Sequence, residues 1–257
     1  MFASYRIRAS LKAAALHFGL SLLIACIAAL LVFGIWYPFP FHELAGGTAL
    51  FGILVAVDVV SGPLLTAVVF NPNKPRKELL LDLGAIALLQ LAALLYGLYS
   101  IGLARPVILA FEVDRFVVVS AQQVDRNELV KAQFPFDSIS WLGPRLVGTR
   151  PAKDGPETLK SIELSLRGLE PSARPDWWQD FEKSRDNVIS RMKPVQELSA
   201  RLAGLDRSIL DDSLRELGRS PEAVFYLPLV SQKSLDDWIT IMDARGNIVG
   251  YSGVGGF

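Results

Sequence analysis

The sequence predicts a membrane protein: a three-helix transmembrane bundle followed by a small α+β extracytoplasmic domain. Three observations predict it. Long apolar runs occupy residues 18–37, 48–70 and 79–103, each at or above the ~20 residues that carry a helix across a bilayer. Beyond Pro106, charged residues recur every few positions, as in a domain that faces water. Proline-bearing connectors at 36–40 and 71–75 stop one run before the next begins. The expected domains are a membrane part over 1–104 and a periplasmic α+β part over 105–257, the latter of a common single-domain size.

The first run gives about 30 Å of helix, enough to span the hydrocarbon core. A cleaved signal peptide has an apolar region of only about 7–15 residues, and two further runs follow, so the first is read as a span. Arg6, Arg8 and Lys12 precede it, the 38–47 connector has no Lys or Arg, and Lys74, Arg76 and Lys77 lie in the second connector. Basic flanks stay in the cytoplasm. The N-terminus and second connector are therefore expected inside. Three crossings then put the C-terminal domain in the periplasm of a Gram-negative cell, so the chain is expected to be multi-pass in the inner membrane. The Trp36-Tyr37 pair suits a membrane–water interface.

Polar residues inside these runs are expensive in lipid and therefore informative. Asp58 lies near the middle of the second run, followed by Ser61, Gly62, Pro63 and Thr66. Pro63 cannot donate to the carbonyl of Val59, so a kink is expected there. With Gly62 it makes a notch that another helix could enter. Asp58 either binds a partner helix or ion, or bonds Gln90 or a hydroxyl within the bundle. Asp82 fits a helix N-terminus, where the dipole favours a carboxylate. An intramembrane aspartyl dyad is excluded by depth. Asp58 is roughly 18 Å from the cytoplasmic end of its helix at Phe70, and Asp82 is about one turn from its own. Gly52/Ala56 and Ala93/Gly97 permit close helix approach.

In the soluble part, residues 107–120 read as one or two strands, and 122–133 carries a helical charge pattern. Residues 159–166 fit either element: Ile162, Leu164 and Leu166 alternate, while Leu159, Ile162 and Leu166 share a helical face. Helices are expected over 176–192 with Asp176 as N-cap, 195–202, and 206–217 ending at Gly218. Strands follow at 224–227 and 238–242, the latter turning at 243–247 into 248–251 as a hairpin. Residues 253–257 read as a flexible tail. Trp177 and Trp178 are a candidate binding patch, or else one fills the core and the other covers it or touches headgroups.

Several chemistries are excluded. After Arg105 there are 19 Lys and Arg against 22 Asp and Glu, which gives no basic face for nucleic acid. The histidines, His17 and His42, are expected on opposite sides of the membrane, and Cys26 is the only cysteine. No histidine triad, zinc cluster or disulfide can form in the soluble domain. No phosphate loop, dinucleotide fingerprint or calcium loop is present. Adjacent carboxylates at Asp211-Asp212 and Asp236-Asp237 read as surface or capping groups. No catalytic residue, cofactor or metal is expected, and the protein is not expected to be an enzyme.

Residues 57–66, Asp82-Leu83, 87–92, Tyr96-Gly97, Arg105-Pro106 and Val113-Asp114-Arg115-Phe116, with Trp36-Tyr37-Pro38, resemble the type IV pilin accessory proteins of the TfpX/TfpZ type. The likeness covers roughly the first 120 residues. It implies a dedicated pilin chaperone that supports pilin stability and pilus assembly in the inner membrane. Asp58, Gly62, Pro63, Arg105, Asp114 and Arg115 carry over as motif matches. With Thr66, Gln90, Trp177 and Trp178 they are the candidate partner-binding residues. The implied partners are a type IV pilin subunit, the lipid bilayer and other pilus assembly proteins. Two other readings stand beside this one: a membrane-anchored periplasmic sensor or ligand-binding protein, and a membrane enzyme or small transporter anchored on Asp58.

Overall fold

The computed structural model describes residues 2–132 and 134–257. The chain forms two compact units, Met1–Pro38 with Gly46–Leu103, and Phe39–Ala45 with Ala104–Phe257.

The first unit is helical. α1 (Phe2–Leu31) runs on into a π-helical turn, Val32–Trp36. After one-turn α2 (Phe41–Leu44), a second rod is built from α3 (Gly47–Val55), a π segment at Ala56–Ser61, and α4 (Gly62–Val69). α5 (Arg76–Ala104) is the third. Tyr5–Trp36, Gly47–Val69 and Arg76–Ala104 are each long and apolar enough to cross a membrane. The first helix begins well before residue 18, because the Ala- and Leu-rich stretch ahead of it has high helix propensity. His17, expected outside the span on the cytoplasmic side, therefore lies within α1.

Buried polar pairs join the rods of this unit. Ser10 Oγ donates to the Phe70 carbonyl at 3.0 Å, and His17 Nδ1 lies 2.6 Å from Thr66 Oγ1. At the opposite end of α1, Tyr37 Oη donates to the Ile101 carbonyl at 3.0 Å. Gly47 leaves room for the Tyr37 ring and Gly102 for the Trp36 ring, so this aromatic pair packs between helix ends. Asp82 is not in a first turn, since α5 starts at Arg76; it accepts from Lys74 Nζ at 2.5 Å.

The second unit is a mixed sheet with helices on it. Its elements are β1 (Pro106–Glu112), β2 (Arg115–Ser120), α6 (Arg126–Leu129), β3 (Arg145–Thr149), α7 (Gly155–Leu166), β4 (Trp178–Gln179), α8 (Arg185–Arg191), β5 (Lys193–Pro194), α9 (Val195–Arg201), α10 (Gly204–Glu216), β6 (Phe225–Val230), β7 (Ile239–Met242) and β8 (Ile248–Ser252). The strand order is β4-β3-β1-β2-β6-β7-β8, with β5 also paired to β6. β1 with β3 and β2 with β6 are parallel, and the remaining pairs are antiparallel.

Both faces of this sheet are covered, which is why β1 is apolar throughout rather than alternating. Alternate residues feed different cores. Leu109 and Phe111 of β1 join Phe116, Phe181, Val188, Leu227 and Met242 on one face. Ile108 and Ala110 join Val119, Val147, Ala173 and Trp178 on the other. A third cluster seats Val195, Leu198, Leu210 and Leu214 from α9 and α10 on Tyr226, Ile239 and Ile241.

Phe41 and Leu44 belong to the first of these cores. The connector between the first two rods is thus structurally part of the sheet unit. Ser231 Oγ fixes it by donating to the Leu44 carbonyl at 2.7 Å. Burying two such side chains is worth about 1.5–3 kcal/mol each. Residues 39–45 thus go with the second unit, because their apolar side chains complete its core.

Other expectations change. The charge pattern expected over 122–133 gives the four-residue α6 among the described residues, and residue 133 lies outside them. Residues 155–166 form a helix, capped by Asp154 Oδ1 accepting from Glu157 N at 2.8 Å. The single helix expected over 176–192 is a 3-10 turn, then β4, a second 3-10 turn and α8. The Thr149–Trp178 register pairs 178–179 into the sheet, and Asp180 restarts the chain as a cap. Gly218 ends α10 with φ +62, as expected. Residues 253–257 are not loose. Asp236 Oδ1 accepts from Gly256 N and Phe257 N, and Val254 is buried.

Candidate functional site

Asp58 is the buried polar group for which the fold makes least provision. It sits inside the π segment Ala56–Ser61 and is 8% exposed. Neither carboxylate oxygen has a hydrogen-bond partner among the described residues. Unpaired buried polar groups are rare and costly, and π-bulges concentrate at functional sites.

The local geometry follows from Pro63. In π register the carbonyl of residue 58 takes the N–H of residue 63, and proline has none. The orphan is therefore the Asp58 carbonyl rather than that of Val59. Gln90 Nε2 on α5 fills the vacancy, donating to Asp58 O at 3.0 Å. Gln90 thus satisfies the backbone and leaves the Asp58 carboxylate alone, so the expected Asp58–Gln90 bond forms through a different atom. Gly62 is required for this arrangement. A Cβ there would overlap the amide of Gln90. The notch expected at Gly62 is therefore filled from within by Gln90 and is not open to a partner.

Thr66 is likewise occupied: it is buried and paired to His17. What stays open is the carboxylate and the two apolar clefts that flank it. One, of about 150 Å³, is lined by His17, Ser21, Leu54, Gln90 and Leu94 with Asp58. The other, of about 240 Å³, is lined by Leu50, Ile53, Ala93, Tyr96 and Gly97, again with Asp58. A Cβ at Gly97 would collide with Leu54, so α5 approaches α3 closely at that point. Gly52 has no such neighbour.

The remaining candidates lie in the second unit. Arg105 is buried, donates from Nη2 to the Ser140 carbonyl at 3.4 Å, and lies over the Trp141 ring at 4.6 Å. Asp114 and Arg115 pair at 2.8 Å in the β1–β2 turn, and Arg115 also lies over the Phe257 ring. The residue before them, Val113, is exposed with φ +61, and Asp114 N donates to Glu112 O at 2.8 Å across it. This γ-turn puts a β-branched residue in the left-handed region.

Trp177 and Trp178 are both buried. Trp178 Nε1 donates to the Ser172 carbonyl at 2.7 Å. Trp177 is sandwiched by the guanidiniums of Arg150 and Arg174, 4.6 and 4.5 Å from its ring. Arg150 in turn holds Glu157 with two hydrogen bonds of 2.8 and 2.9 Å, which keeps the Glu157 carboxyl down at about 2. Burial pushes Arg174 below its ordinary range, and its Nη2 donates to Ser161 Oγ. Neither indole is a free patch. The exposed tryptophan is Trp141, which nothing in the sequence pattern singled out.

Among the described residues, no three His, Cys, Asp or Glu side chains converge as metal ligands would. The geometry so far defines a class: three membrane-length apolar helices joined to a mixed-sheet domain, with a buried, unpaired carboxylate at Asp58 among the helices. The family model described as fimbrial assembly protein FimB matches residues 5–46. The serogroup I fimbrial assembly protein of Dichelobacter nodosus is 34% identical over 237 residues, covering 92% of each chain. The serogroup E1 protein of the same organism is 33% identical over the same length and coverage. The serogroups C1 and C2 protein is 42% identical over 121 residues, 47% of this chain and 92% of that protein. No solved structure matches. The chain belongs to the FimB family of fimbrial assembly proteins. The resemblance to type IV pilin accessory proteins is borne out at this level.

Proposed function

We propose that this chain is a non-enzymatic pilus assembly factor of the inner membrane that acts as a pilin-specific chaperone. A pilin subunit waits in the bilayer on one apolar helix. The clefts beside Asp58 take that helix, and its polar or charged group completes the hydrogen bonding that the Asp58 carboxylate lacks. The sheet unit shields the pilin head in the periplasm. The observation that carries the reading is the unpaired carboxylate between two apolar clefts, in a chain whose relatives are named fimbrial assembly proteins. Inside lipid, such a group is retained when something binds it.

The connector supports the orientation. Residues 39–45 share a core with residues 104–257, so both lie on one side of the membrane, as three crossings require. The basic flanks support the periplasm as that side.

The test is co-purification of pilin with this protein, and pilin abundance in a strain that lacks it. Pilin should co-purify, and its level and surface pili should fall in the deletion strain. Photo-crosslinking positions along α3 and α4 should trap pilin near Asp58. Unchanged pilin and unchanged pili would end the proposal.

A further inference from the structure

We infer that residues 134–142 are a membrane-interface anchor that seats Trp141 and Leu142, with Phe134, in the lipid headgroup layer at the exit of α5. This rests on reading the apolar helices as membrane spans. Phe134, Trp141 and Leu142 are 87, 67 and 82% exposed. Trp141 and Leu142 are consecutive and both exposed, and a water-facing loop gains nothing by presenting large apolar side chains side by side.

The tether identifies the surface. Arg105 immediately follows Ala104, the last residue of α5. Its guanidinium lies 4.6 Å from the Trp141 ring and reaches the Ser140 carbonyl. Trp141 is therefore held within one arginine side chain of the point where the apolar helix ends. Indole and guanidinium are groups that favour the headgroup layer, with an apolar body toward the lipid and a polar edge toward water. A second chain exit repeats the pattern: exposed Phe39 directly follows Pro38 and packs edge-on to Trp238 at 6.3 Å.

The experiment uses the full chain with Cys26→Ser in nanodiscs of phosphatidylethanolamine and phosphatidylglycerol. Single nitroxide labels are placed at Leu142→Cys, at Leu88→Cys on the exposed side of α5, and at Glu222→Cys on the exposed surface of the sheet unit. Collision rates are read with oxygen and with an aqueous nickel chelate. The label at 142 should meet the nickel chelate at least about threefold less often than the label at 222, and sit shallower than the label at 88. A label at 142 as wet as the one at 222, with 88 still in lipid, overturns the anchor and leaves the membrane reading intact. A label at 142 that becomes shielded only when pilin is added also overturns it, in favour of a protein contact. If the label at 88 is itself wet, the membrane reading fails and the anchor with it.

Discussion

Asp58 and the Trp177-Trp178 pair both read from the sequence as candidate contact points, and the folded chain treats them in opposite ways. The indoles and the groups beside them are engaged internally: Trp178 donates to Ser172, Trp177 stacks between two guanidiniums, and Arg150 closes on Glu157. Around Asp58 the neighbours are satisfied and the carboxylate is not. Gln90 takes its backbone carbonyl, and Thr66 takes His17. A buried group whose surroundings complete it contributes to stability. One whose surroundings stop short of it costs stability, and it persists when a partner supplies the missing bond.

The comparison can be broken or sharpened by substitution. The largest effect is expected at Phe41, where Phe41→Ala should destabilise the sheet unit by about 3–5 kcal/mol in denaturant unfolding followed by tryptophan fluorescence. Asp58→Leu should leave stability unchanged or raise it by about 1 kcal/mol. It should also cut pilin capture roughly tenfold, or about 1.4 kcal/mol of binding, in quantitative pull-downs. A loss of stability would mean that Asp58 is structural. Trp177→Leu should do the reverse: it should cost about 1–2 kcal/mol through the lost arginine stacking and leave pilin capture intact. Val113→Gly should gain about 1 kcal/mol, since the side chain is exposed and its left-handed backbone is costly for a β-branched residue. The smallest effect is acid sensitivity at Glu157. Its carboxyl is held at about 2 by Arg150, below the ordinary 4.5. The stabilisation is therefore present above about pH 4.5 and lost as pH falls toward 2. Glu157→Gln should flatten that acid limb in a stability–pH series.

The apolar helices, the strand character of 107–120, α9, α10 and the closing hairpin were legible because hydropathy, capping and turn chemistry act over a few residues. Asp58 was legible for the same reason: a charge in an apolar run needs no third dimension to be noticed. Its environment was not. The π register moves the orphan carbonyl from Val59 to Asp58, and only the distant Gln90 shows which one is served. The misread helix over 176–192 has apolar residues at helical spacing, yet pairing with Thr149 pulls Trp178 into the sheet. The glycine-rich terminus reads as loose, and one carboxylate, Asp236, orders it from 20 residues away. Phe41 and Leu44 sit in a short connector with no periodicity, so nothing local announces that they fill a core.

That connector also sets a schedule for synthesis. Phe41 and Leu44 leave the ribosome early, but the strands that enclose them end only at Met242, and the bond from Ser231 to Leu44 spans 187 positions. The sheet unit cannot close its central layer until nearly the whole chain has been made. Until then the first two rods are joined by a strap whose greasy side chains have no home. An interrupted chain would display them, which gives quality-control proteases a way to tell a finished molecule from a partial one.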